Sequence, residues 1–184
     1  INGSVGLGYG SMNTIKSGFN LLGNNFKESK GMYWKLGGFY RQGDGYILEP
    51  EETRDEYSSE AYLNEGNASV LLGYHFKANQ KLELDYRFYN DKRGAGVKVF
   101  EENGSFEGFT NNNLMLGYDS YLGKTKLTAK GFYFHELYYR QNENVNQSDE
   151  YKLVDTKTAK EDMGLWLTLS SLVHLKHLLS WGVD

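Results

Sequence analysis

The residues best equipped for chemistry fall in a few clusters. Residues 43–66 hold eight acids, Asp44, Glu49, Glu51, Glu52, Asp55, Glu56, Glu60 and Glu65, against one base, Arg54. Such a density of carboxylates attracts cationic ligands or offers oxygens to Ca²⁺. The acids follow no regular ligand spacing, so a solvated surface loop is the plainer reading. Tyr138, Tyr139 and Arg140 stand together and could stack on a ligand; an aromatic girdle at a membrane interface explains the tyrosines with fewer assumptions. Glu83, Asp85 and Arg87 occupy alternate positions. Acting as an acid–base pair, the carboxylates would need environments that push their pKa values apart, whereas a water-facing wall with cross-strand ion pairs needs only alternation. His174 and His177 are three apart, and His75 and His135 complete the histidines. Zinc takes three or four converging ligands, and the His174–His177 pair sits in an expected turn, so no metal is expected. The glycines of GSVGLGYG come at every second residue with no helix after them, which excludes a nucleotide loop. No catalytic residue and no cofactor are expected.

These clusters must be positioned by strands. Leu82, Leu84, Tyr86 and Phe88 alternate with Glu83, Asp85, Arg87 and Tyr89, and the preceding run alternates as Ala68, Val70, Leu72, Tyr74 and Phe76. A period of two puts one set on each face of a strand. A three-residue loop at Ala78, Asn79 and Gln80 places Phe76 opposite Leu82, Tyr74 opposite Leu84, Leu72 opposite Tyr86 and Val70 opposite Phe88, with His75 beside Glu83. A second hairpin spans residues 113–140. With Leu122 and Gly123 as its loop, Tyr118 faces Leu127, Leu116 faces Ala129 and Leu114 faces Gly131, while Asp119 meets Lys126. Further strands are expected over residues 4–12, 16–23, 33–42 and 162–170, and from residue 178 to the end. The turns fall near residues 13–14, 24–31 and 172–176. The glycines alternating with Val5, Leu7 and Tyr9 are expected to face something bulky or a tight bend.

Composition narrows the class. The 184 residues carry 25 Phe plus Tyr and 22 Gly, yet mean hydropathy is −0.63. Aromatic, glycine-rich, alternating sequence of modest hydropathy is the pattern of a transmembrane β-barrel, because half of each strand faces water. No run of about 18 apolar residues exists to form a helical span. A net charge of −4 argues against nucleic acid, and zero Cys fits passage through an oxidising periplasm. The chain opens Ile-Asn-Gly without Met or signal peptide, which reads as a mature form or a fragment. From the second strand on, connections alternate short and long, the long ones being residues 43–66, 91–110 and 141–161. Outer-membrane barrels place short turns in the periplasm and long loops outside. The expected fold is therefore all-β, an antiparallel up-and-down meander of eight or nine strands, with two open edges, forming part of a transmembrane outer-membrane barrel.

Particular stretches resemble a known family. GSVGLGYGSMNT, then SGFNLLGN and YWKLGGFYRQGDGY, are similar to the entry into the barrel of TonB-dependent outer-membrane receptors, just after their plug. LELDYRFYNDKRGAG, FYFHELYYRQNE and WGVD are similar to later wall strands and loop roots of that family. The resemblance implies a segment of a 22-stranded barrel in the outer membrane of a Gram-negative bacterium. It also implies active import of a scarce nutrient, such as iron-siderophore, haem, cobalamin or glycan, powered by the TonB complex through a plug that this segment lacks. The partners it implies are outer-membrane lipid and a small nutrient ligand. On this reading Lys35, Arg41, Glu83, Asp85, Arg87, Asp119, Lys126 and Lys130 face the lumen. Leu82, Leu84, Tyr86, Leu114, Leu116, Tyr118, Leu165, Leu167 and Trp181 face lipid. Ligand contact falls to Glu49, Glu51, Glu52, Asp55, Glu56, Tyr138, Tyr139 and Arg140. Two other readings fit the composition, a small eight-stranded outer-membrane structural or adhesive protein and a soluble carbohydrate-binding β-sandwich with a dry core between two sheets.

Overall fold

The computed structural model describes residues 1–174 and 177–183. The His174 side chain and residues 175, 176 and 184 lie outside the described residues, and with them the His174–His177 pair and the centre of the expected 172–176 turn. The strands are β1 (Asn2–Gly10), β2 (Thr14–Asn24), β3 (Gly31–Gly43), β4 (Leu63–Lys77), β5 (Gln80–Gly94), β6 (Phe106–Leu122), β7 (Thr125–Val145), β8 (Tyr151–His174) and β9 (His177–Val183). They form one nine-stranded sheet in chain order, each pairing antiparallel with its neighbours in sequence. Among the described residues the only helical element is a 3₁₀ turn at Glu51–Thr53. The sheet is open, with β1 and β9 at its ends.

The turns show how the sequence sets register. Met12 (φ 56°) and Asn13 (φ 49°) are both left-handed, and the Thr14 amide donates to the Ser11 carbonyl at 3.2 Å. This is a type I′ turn, whose twist matches that of the flanking strands. Between β6 and β7 the loop is residues 123–124, one place later than expected, because Gly123 takes the left-handed first position (φ 65°) that Leu122 would occupy only at a steric cost. Moving the loop by one shifts the ladder by two, so Tyr118 faces Ala129, Leu116 faces Gly131 and Leu114 faces Tyr133. The β4–β5 loop is likewise residues 78–79, not 78–80. Neither residue has a positive φ, and a bulge between His75 and Lys77 absorbs the mismatch. Tyr74 therefore faces Leu82, Leu72 faces Leu84 and Val70 faces Tyr86, and His75 lies opposite Lys81 rather than Glu83. A shift of two leaves every side chain on its expected face.

The third long loop is a correction. Most of residues 141–161 is strand, with Val145 paired to Tyr151 and only residues 146–150 left to turn the chain. Residues 43–66 and 91–110 contract in the same way, to loops at 44–62 and 95–105. Where both faces of a strand carry polar residues the apolar–polar alternation disappears, and with it the sequence signal. The β1 glycines are a second correction, since a Cβ at Gly6 would meet nothing within 4 Å, and at Gly8 and Gly10 only a neighbouring Cβ at 3.8 Å. Close approach does occur elsewhere. The Tyr33 ring covers Gly73 and the Phe132 ring covers Gly164, so that an added Cβ at either position would collide with ring carbons.

Register and alternation together divide the sheet into two faces. Leu82, Leu84, Tyr86, Leu114, Leu116, Tyr118, Leu165, Leu167 and Trp181 share one, and Lys35, Arg41, Glu83, Asp85, Arg87, Asp119, Lys126 and Lys130 share the other. Tyrosines border the apolar rows, with Tyr74 and Tyr118 towards the short turns and Tyr40, Tyr86 and Tyr133 towards the long loops. The apolar face is open, with Leu116 48% and Leu165 65% exposed, whereas Glu65 and Asp91 on the polar face are 7% and 4% exposed. Phe106 is the one buried hydrophobic side chain among the described residues. Among the described residues no second sheet covers the apolar rows, and the dry inter-sheet core of a soluble sandwich is not formed.

Candidate functional site

The polar face is held by interlocking ion pairs. Arg41 meets Glu65 across strands at 2.6 Å, and Arg93 joins Asp91 at 2.9 Å and Glu65 at 3.8 Å. The Tyr89 hydroxyl reaches both carboxylates, at 3.2 Å and 3.1 Å. Nearer the short turns, Lys81 bridges Glu83 and Asp119 at 3.6 Å, and the Tyr33 hydroxyl donates to Glu83. Asp119 also meets Lys126 at 3.6 Å, diagonally, since its direct partner is Thr128. Arg87 pairs with Asp85 on its own strand, not across strands. His75 packs against the Phe26 and Tyr33 rings, 5.4 Å and 5.7 Å between centroids. Among the described residues no group of three or more His, Asp or Glu converges as metal ligands would.

At the other end the long loops are built into one body. Loop 44–62 pairs with loop 95–105 through the Ser59 amide on the Gly96 carbonyl at 2.8 Å and the Lys98 amide on the Tyr57 carbonyl at 2.9 Å. Loop 95–105 is in turn clasped to β7 by Glu143, which is 4% exposed. Its carboxylate accepts the amides of Val99, Phe100 and Glu101, each at 2.8 Å, and the Tyr151 hydroxyl at 3.0 Å. Burial pushes this carboxyl up, but the three amides and the phenol together hold it below the usual glutamate range. Burial, with Glu143 as hydrogen-bond partner and nearby charge, pushes the Tyr151 phenol up to about 12. Ser105 ties the same residue by its hydroxyl, which accepts the Glu143 amide at 2.8 Å, and Gln141 donates to the Gly104 carbonyl at 2.7 Å. Sequence reading missed Glu143 because it lies in a polar stretch without alternation, where nothing distinguishes it from its neighbours.

Between the two loops and β7 lies a cavity of about 520 Å³, lined by Glu49, Asp55 and Tyr57, by Val97 and Val99, and by Arg140, Asn142 and Asn144. Three expected contact residues, Glu49, Asp55 and Arg140, are brought together there. Glu51 and Glu52 lie exposed in the 3₁₀ turn and Glu56 lies exposed beside it, none of them lining the cavity. Tyr138 and Tyr139 point to opposite faces of β7, Tyr138 packing on Phe109 and Tyr139 on Phe106. Only Tyr138 shares a face with Arg140, as alternation in a strand requires. The Arg140 guanidinium is steadied by Asn142 at 3.1 Å and Glu107 at 3.5 Å. Asp55 is engaged within its own turn, accepting from the Tyr57 amide at 2.9 Å and the Ser58 hydroxyl at 3.2 Å. The cavity thus presents hydrogen-bonding groups of both polarities on a braced frame. No family model, no curated protein and no solved structure matches the chain.

Proposed function

We propose that this chain is wall and extracellular loops of a TonB-dependent outer-membrane importer of a scarce nutrient. The observation that carries the reading is the two-faced meander. An open apolar face bordered by tyrosines, a charged opposite face and every long loop at one end are what a barrel wall in an outer membrane requires. A charge placed among the apolar rows would cost about 2–4 kcal/mol at mid-bilayer, and the rows from Leu84 to Leu165 contain none. The lumen-facing role of Lys35, Arg41, Glu83, Asp85, Arg87, Asp119, Lys126 and Lys130 follows from the same division. Strands of 21 and 24 residues, β7 and β8, outrun any bilayer, since a tilted crossing takes about 9–11. Their outer parts carry the loops above the membrane. The choice of a TonB-dependent importer among barrels rests on the resemblance of residues 3–14, 33–46 and 82–96. Nine strands and two open edges favour a piece of a larger wall over a closed eight-stranded protein. The function is transport, without catalysis, with the nutrient met first by the loops.

Deleting residues 44–62 in the full-length protein tests this. The expected result is normal outer-membrane insertion with nutrient binding and uptake reduced at least tenfold, because loop tips tolerate change better than wall strands. Unchanged uptake after each loop is shortened in turn would remove recognition from these loops.

A further inference from the structure

One line of the polar face is aromatic. By ladder register Trp166, Phe132, Phe134, Phe109 and Tyr138 all lie on the side that carries Glu83 and Arg87. Phe132 lies across Gly164, where no side chain obstructs it, and stacks on Trp166 at 4.6 Å between centroids with planes 25° apart. Higher up, Tyr138 packs on Phe109 at 4.8 Å. Trp166 stays 38% and Phe109 37% exposed. A run of open rings on an otherwise charged face marks a surface that binds something. From the rung of Trp166 to that of Tyr138 it climbs eight residues of β7, roughly 27 Å at strand rise.

What stands between the rings narrows the ligand. Asn113 and Asp162 flank Phe134 on its rung, and Asn111 and Lys160 flank Glu136 on the next. The cations Lys130, Lys160 and Arg140 are balanced by Glu136, Asp162 and Glu107, so the stripe has no net charge to offer an ion. It runs on along the same face of β7 to Arg140 and Asn142, which line the loop cavity. The two loops around that cavity carry nine carboxylates against Arg54 and Lys98, in a chain whose whole net charge is −4. An anionic ligand would be repelled there. A purely apolar one would leave the polar rungs unpaired, at the cost of their desolvation. A chain of neutral rings with C–H faces and hydroxyl edges satisfies both, its C–H faces on the aromatics and its hydroxyls on the amides and carboxylates.

We propose that this stripe and the cavity above it form a binding track for a linear, neutral oligosaccharide. The proposal deepens the importer reading and rests on it for the water-facing side of the sheet. The test uses the full-length protein purified from outer membranes, titrated with maltohexaose, cellohexaose and chitohexaose and followed by calorimetry and tryptophan fluorescence. At least one hexaose is expected to bind. Phe132→Ala and Trp166→Ala should each weaken it about tenfold or more, while Tyr133→Ala on the opposite face leaves affinity unchanged. Should an alanine variant fail to fold, Trp166→Leu, which keeps apolar bulk and removes the flat ring, takes its place with the same expected loss. The proposal is overturned if none of the three sugars binds, or if binding survives these substitutions. It is also overturned if the substitutions only lower thermal stability in a protein that binds no sugar, since the stripe would then seat another part of the protein. Membrane flotation of the same preparations is scored separately. Absence from the outer membrane sinks the importer reading, whereas correct location without sugar binding sinks the track alone.

Discussion

Glu143 shows what one side chain can fix in an assembly of loops. Its carboxylate takes three amides of loop 95–105 and the Tyr151 hydroxyl, all charge-assisted. Glu143→Ala is expected to cost about 3 kcal/mol of loop docking, seen as exchange of the Val99, Phe100 and Glu101 amides about a hundredfold faster. The clasp also has a pH window. Its carboxyl is depressed below the ordinary glutamate value, about 4.3, so its contribution is complete above that value and is lost as pH falls through the lower folded one. The Tyr151 phenol is raised to about 12, so its contribution is complete below the ordinary tyrosine value, about 10, and is lost as pH rises through 12. Amide exchange across these two ranges checks both signs. At the β1 edge of the same loop end, where its carbonyl accepts the Asp44 amide at 3.0 Å, Met12 holds a left-handed conformation that costs an L-residue about 1–2 kcal/mol. Replacing the pair by Met12→Asn with Asn13→Gly should stabilise the protein by about 1 kcal/mol in denaturant titration, because Asn-Gly suits a type I′ turn.

Among elements, the strands with one apolar and one polar face were legible, and the stretches polar on both faces were not. Leu82 to Phe88 announce their faces by alternation, whereas β7 beyond Arg140 and β8 before Glu161 read as loop because neither side is apolar. The hairpin registers were each misjudged by two residues for a local reason. The position of Gly123 and the bulge at His75 and Lys77 are turn chemistry, invisible to a pattern of greasy residues. Of the expected contact residues, the cavity gathered Glu49, Asp55 and Arg140, and alternation alone separates Tyr139 from Tyr138. The facing makes a direct energetic prediction. Leu116→Arg should lower the folding free energy in vesicles of the full-length protein by about 2–4 kcal/mol. Lys130→Leu on the polar face should change it by less than about 1 kcal/mol. Equal costs at the two positions would deny that the faces meet different solvents.

At the scale of the molecule, the account makes one claim from which the rest follows, that the two faces of this sheet look onto lipid and water. The edges of β1 and β9 need partners, the long strands carry loops clear of the bilayer, and the acidic loops wait at the mouth of a lumen only if that is so. The chain has no cysteine, so single substitutions can be labelled without background. The decisive measurement is a cysteine scan from Leu82 to Phe88 in the full-length protein in outer membranes, with each site challenged by a water-soluble maleimide and by a lipid-confined quencher. The predicted result has a period of two. Glu83, Asp85 and Arg87 are reached by the maleimide and spared by the quencher, and Leu82, Leu84, Tyr86 and Phe88 show the reverse. Labelling of all seven positions alike by the water-soluble reagent, with no quenching at the even ones, would contradict the account.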